Sequence, residues 1–258
     1  MRMMKKVLGT VTVLALSVSL LAGCGSTAAS PVPSAASTAA ESTTSSVASE
    51  TTSAAADENA AAAAQLLNDL TGSYQELWPV ILADEYQQTW LDDCTALVGE
   101  ENAEAAFEKL SSMVTGDVYG EDAVKAYANG GAYFCGFTND LVTLTFDGET
   151  STISGTDKDG NELFSHTYHY IGMEPVRGLY EFESDDADSG EFTYFFLAPD
   201  TSAETYHIEF RYGSDAEALS QYDAGEYAYW LASGISTDCD QTMIDNCIEL
   251  FCTENLAG

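Results

Sequence analysis

His207 and Glu209 are the pair in this chain whose types and spacing could do chemistry. They lie in residues 205–212, where apolar and polar side chains alternate. Tyr206, Ile208, Phe210 and Tyr212 share one face of a predicted strand, and Thr205, His207, Glu209 and Arg211 share the other, because successive strand side chains point to opposite sides. The pair is therefore roughly 7 Å apart along one face. An imidazole beside a carboxylate can clip a metal ion or handle a proton, or the two can pair with each other or with Arg211 as surface chemistry. The spacing leaves these readings open. His166 and His169 lie three apart on another predicted strand and face opposite sides, so at most one can join His207 inside a barrel; His169 is the first candidate. His207, Glu209 and His169 thus form the candidate metal set, with rim carboxylates completing the four ligands that zinc takes.

No other catalytic arrangement stands beside it. The chain has no G-x-S-x-G, no H-E-x-x-H and no Gly-rich phosphate loop, and with 3 His in all an acid–base enzyme would need paired carboxylates that nothing in the sequence brings together. No enzymatic activity is expected. The acidic loops at 157–160 and 185–188 lack the spaced ligands and terminal Glu of a calcium loop and read as solvated turns.

Around the pair, the chain divides into three parts. Residues 1–23 have a basic start (Arg2, Lys5, Lys6) and an apolar run, and Leu21-Ala22-Gly23-Cys24 has the form of a bacterial lipobox, so this part reads as a lipoprotein signal with Cys24 as the lipidated residue. Residues 24–56, rich in Ser, Thr and Ala, have no aromatic residue and no apolar period and read as a disordered tether, reaching roughly 30 Å on average. Residues 57–258 form one domain, long enough for a real core. Losing the three basic residues of the signal takes the formal net charge from −34 to about −37. Nucleic acid and anionic lipid surfaces are thereby disfavoured as partners, and a cation or a cationic partner fits better; contact with the membrane is expected through the lipid anchor alone. Besides Cys24 there are Cys94, Cys135, Cys239, Cys247 and Cys252, an odd number without a C-x-x-C, so two disulfides at most could form and buried free thiols are expected.

The pattern predicts helices over 58–70, 86–98, 102–114, 121–128, 214–222 and 237–254, the last with Met243, Cys247, Leu250 and Phe251 as its buried stripe. Ser73 to Glu76 has the S-x-x-E form of a capping box and predicts the start of a helical turn. Strands are predicted over 133–137, 141–146, 152–154, 163–170, 177–183, 192–197 and 205–212, separated by turn-forming residues. The expected fold is mainly β with flanking helices (α+β). It is an antiparallel meander closed as a lipocalin- or calycin-like barrel, with helices before it and one after.

That order resembles the zinc-induced periplasmic ZinT (YodA) family. Three stretches carry the resemblance. LTGSYQELWP at 70–79 is similar to the family's opening W-x-G-x-W-x-S-x-Y-P segment, VRGLYEFE at 176–183 to its V-R-Y-L-F-E strand, and FFLAPDTSAETYHIEFRYG at 195–213 to its H-x-I-A-P…H-F-H-x-F-x-G stretch. In that family three histidines hold zinc. By position they fall at Phe195, which cannot ligate, at His207, and at Glu209, which can. The resemblance implies Zn²⁺ capture at the outer face of the cell membrane, or in a periplasm, and delivery to a zinc ABC transporter or its solute-binding protein. The alternative is a metal-free small-ligand or protein-binding module using the barrel interior, with Tyr168, Tyr170, Tyr180, Tyr194 and Tyr206 as wall residues.

Overall fold

A computed structural model describes residues 58–127, 132–199 and 207–257, all within one compact unit, Thr44–Gly258. Cys24, the signal and tether, and Tyr206 lie outside the described residues. Eight antiparallel strands follow one another in chain order and close into a barrel: β1 (Gly72–Glu76), β2 (Thr143–Asp147), β3 (Thr152–Thr156), β4 (Glu162–Met173), β5 (Tyr180–Ser184), β6 (Tyr194–Leu197), β7 (His207–Gly213) and β8 (Ala232–Ser236). Closure is made by β1 pairing with β8, Tyr74 opposite Ser236. Full closure leaves no edge strand to pair with another chain. Helix α1 spans residues 58–69. It is followed by α2 (Leu77–Ile81), α3 (Gln87–Val98), α4 (Glu100–Val114), α5 (Glu121–Tyr127), α6 (Ala216–Leu219) and α7 (Gln241–Leu256).

The barrel-with-helices class is the one expected from the pattern; three local expectations are corrected. Ser73 to Glu76 does not begin a helix but is strand β1, because Tyr74 turns into the barrel, edge-on to Phe146 with ring centroids 5.7 Å apart, and Ser73 hydrogen-bonds Thr145 across β2 at 2.8 Å. Residues 133–137 are not a strand: Phe134 makes only isolated bridges, to Thr115 and Trp230. The closing strand β8, ASGIS, was not legible. It is buried on both faces, so it shows no alternation, and Gly234 and its serines carry no strand preference.

Two cores result. Alternate strand residues fill the barrel: Phe146, Phe182, Phe195, Phe210 and Tyr212 are each at most 1% exposed. Leu66, Leu67 and Leu70 of α1 and the residue after it join this cluster. The approach of α1 requires Gly148, where a Cβ would meet the Asn68 Cα at 2.4 Å. The second core lies outside the wall, where α2, α3, α4 and α7 bury Leu77, Trp90, Cys94, Leu110, Ile248 and Cys252 against Ile235 of β8. The Asp240 carboxylate starts α7 by accepting from the Met243 N–H at 3.0 Å. The buried residues of α7 are Ile244, Cys247, Ile248 and Cys252: Cys247 is as expected, while Met243, Leu250 and Phe251 lie at the edge of the buried face.

The buried phenols set an alkaline limit on stability. Burial, more than any neighbouring charge, raises Tyr168, Tyr212 and Tyr222 above the usual 10.0, Tyr222 to about 12. A phenol raised in the folded state contributes stability that is complete below pH 10 and is lost as pH climbs through the folded value. Arg211, lowered by its burial to about 10, acts in the opposite sense over the same range, and the three phenols outnumber it. Unfolding is therefore expected to begin above about pH 10 and to rise in step with tyrosinate absorbance. Tyrosinate appearing fully in a still-folded barrel would contradict this.

Candidate functional site

Strand β7 fixes which way each functional side chain points. Ile208, Phe210 and Tyr212 face the barrel interior. His207 and Glu209 face outward, opposite Ile235 and Ser233 of β8. Outside that wall lies α7, whose shoulder of Cys247, Leu250, Phe251 and Glu254 recurs at the three- and four-residue spacing of one helix face. Between strand and helix is a crevice of about 40 Å³, lined by His207, Glu209, Cys247 and Glu254 together with Leu77, Trp78, Ile81, Leu250 and Phe251. Its volume suits one ion or a water or two. Cys247 is buried, as expected from the helix pattern; its place beside His207 and that of Glu254 were not expected. The helical spacing of the two was visible, but nothing local says which strand α7 will lie against.

The donor set matches zinc in kind: one imidazole, one thiol and two carboxylates. In the arrangement seen, no three His, Cys, Asp or Glu side chains among the described residues stand together as a metal-holding group. His169, the expected third ligand, is not brought to this pair. Strands β5 and β6 separate its strand, β4, from β7. Its register opposite Glu183 places it on the outer surface, where it contacts Asp185 at 2.7 Å with its side chain 52% exposed. His166 takes the other face of β4, as expected: it stands between Phe164 and Tyr168 in the alternation, with Nδ1 2.8 Å from the Asp186 carboxylate. Phe195 pairs with Tyr212, inside the barrel. It is therefore on the opposite side of the wall from His207 and Glu209, and the three positions implied by the family resemblance do not share a face.

Trp78 also lines a larger cleft. This cleft of about 330 Å³ is lined by Glu76, Trp78, Pro79, Leu82, Phe134 and Cys135, among others. Cys135 is pushed up to about 12, first by burial and then by the negative charge of Glu209, and so is a neutral thiol rather than a thiolate nucleophile. The Trp78 side chain is a hydrogen-bond neighbour of the Cys135 thiol, as is Ser233. The Glu76 carboxylate accepts the Phe137 N–H at 2.7 Å.

Arg211, third in the outward row of β7, is fully buried. Its guanidinium donates to the carbonyls of Leu219, Gln221 and Tyr227 and stacks 4.4 Å from the Tyr222 ring. It organises the segment between β7 and β8. Of the tyrosines expected to wall a ligand cavity, Tyr168 is buried in the barrel core, Tyr170 and Tyr180 pack against that core and meet each other edge to face, and Tyr194 donates to Glu183. The rings fill the interior; a ligand there would have to displace them.

No protein-family model matches the chain, and no curated protein sequence matches it. The fold is similar to the crystal structure of the Zn(II)-bound ZinT-like domain of Streptococcus pneumoniae AdcA. The TM-score is 0.45 and the identity 16%, over 71% of this chain and 89% of that one. It is also similar to Zn(II)-bound AdcA from Streptococcus pneumoniae, with TM-score 0.41 and 17% identity, over 72% of this chain and 35% of that one.

Proposed function

We propose that this protein captures Zn²⁺ outside the cytoplasm, held to the membrane by lipid on Cys24, and hands the ion to an uptake system such as a zinc ABC transporter or its solute-binding protein. The observation that carries the reading is the crevice itself: His207, Glu209, Cys247 and Glu254 line an ion-sized space between β7 and α7. Capture then consists of these side chains turning in from two elements around the ion, which displaces a proton from the thiol. The leader sequence supports the anchor and the location; inhibition of lipoprotein signal processing should leave the chain with its first 23 residues attached.

Calorimetric titration of zinc into residues 57–258 tests the capture, with excess Mg²⁺ present to occupy the acidic surface. One-to-one binding is expected, weakened about 100-fold or more by His207→Ala and by Glu209→Ala, or at least about 2.7 kcal/mol each. His169→Ala should leave it unchanged. Weak multi-site binding that ignores both substitutions would sink the reading.

A second reading has an observation of its own. The larger cleft, lined by Trp78, Leu82, Val114 and Phe134, suits a small, mainly apolar ligand. Metal-independent ligand quenching of Trp78 fluorescence, absent in Trp78→Phe, would favour it over zinc capture.

A further inference from the structure

Helix α7, one wall of the crevice, meets α3 through two thiols. Cys94 of α3 and Cys252 of α7 are both fully buried. Their sulfur atoms are 3.9 Å apart, although 158 positions separate the residues in the chain. Cys135 contacts the Tyr133 carbonyl, and Cys247, five residues before Cys252, is on the crevice shoulder of the helix. We propose that Cys94 and Cys252 are oxidised to a disulfide that fastens the C-terminal helix to α3. A disulfide needs its sulfurs about 2.05 Å apart, so each sulfur has to move by only about 1 Å, within the range of a small side-chain rotation. The pair lies in the same core as Trp90, Leu110 and Ile248, so native packing of α7 on α3 brings the two sulfurs together.

Chemistry and order of events follow from burial. Both thiols are raised above their usual range, chiefly by desolvation, so the folded pair is a poor nucleophile. Oxidation therefore accompanies folding, while α7 is still docking. The Cys94 thiolate attacks a disulfide oxidant such as oxidised glutathione and expels one glutathione thiolate. The Cys252 thiolate then attacks the mixed disulfide at the Cys94 sulfur and expels the second. Two protein thiols are oxidised and one glutathione disulfide is reduced to two thiols, the two expelled glutathione thiolates taking up the protons that the protein thiols give up. The bond accounts for one pair among an odd number of cysteines and does not involve Cys247, which lines the crevice with His207.

The inference rests on the extracytoplasmic reading for its place in the cell, but its test does not. The chain from residue 24 onward, carrying Cys24→Ser, is refolded in a glutathione redox buffer and digested without reduction. A peptide pair joining Cys94 to Cys252 is expected, together with a fall in Tm of about 5–15 °C on reduction. The Cys94→Ala/Cys252→Ala variant should show no such fall. Free thiols at both positions after oxidative refolding, or Cys252 joined to any other cysteine, would overturn the proposal. Separate cell fractionation tests the location, so the two readings fail independently.

Discussion

Phe195→His costs the fold about 3–5 kcal/mol and leaves its zinc affinity where it was. By sequence alone this substitution looks like a repair, since it restores a histidine at the position implied by the family resemblance. The structure says otherwise. Phe195 is fully buried, with the rings of Tyr212 at 5.3 Å, Tyr168 at 5.4 Å and Phe164 at 5.9 Å. An imidazole there loses apolar contact and carries two ring nitrogens into a space walled by hydrocarbon. It also points away from the crevice, because its cross-strand partner is Tyr212, whose face of β7 is the one opposite to that of His207 and Glu209. Thermal unfolding should show a Tm lower by about 10 °C or more. Phe195→Leu, which keeps the site apolar, should lose less than half as much. A tenfold gain in zinc affinity in Phe195→His would show that β6 presents this residue to the pair, and would reject the register described here.

Arg211→Met destabilises the protein by a similar amount, about 3–5 kcal/mol, for a different reason. The guanidinium is the donor for the carbonyls of Leu219, Gln221 and Tyr227, all in the segment that leads from β7 to the closing strand. Methionine fills the volume and leaves those acceptors unpaired in a dry interior. It also breaks a stack in which the Tyr222 ring has Arg211 at 4.4 Å and Arg177 at 4.3 Å. Lysine should recover little, because an ammonium cannot serve several carbonyls with a planar fork. Hydrogen exchange should quicken first over residues 214–230, before the rest of the barrel. A loss below about 1 kcal/mol would mean that this segment holds itself together without Arg211.

Strands β2 to β7 follow the predicted segments closely, and in β7 it is the alternation of polar and apolar residue types that made it legible. β1 and β8 were not. One reads locally as a helix start, and the other is short, small and buried on both sides. Both exist because the barrel must close, which is a long-range demand that no seven-residue window contains. The candidate site divides in the same way. That His207 and Glu209 share a face followed from the two-residue period of a strand, and that His166 and His169 do not followed from the same rule.

By itself, then, the sequence determined the class of fold, the acidic charge and the placing of one imidazole and one carboxylate on one strand face. Only the tertiary structure decided which side of the wall that pair occupies, that α7 brings Cys247 and Glu254 to it, that His169 lies elsewhere, and that Cys94 meets Cys252. The reason is physical. Periodicity is written in neighbouring residues, but the face a strand buries and the helix that covers it depend on strand closure and helix packing between residues far apart in the chain.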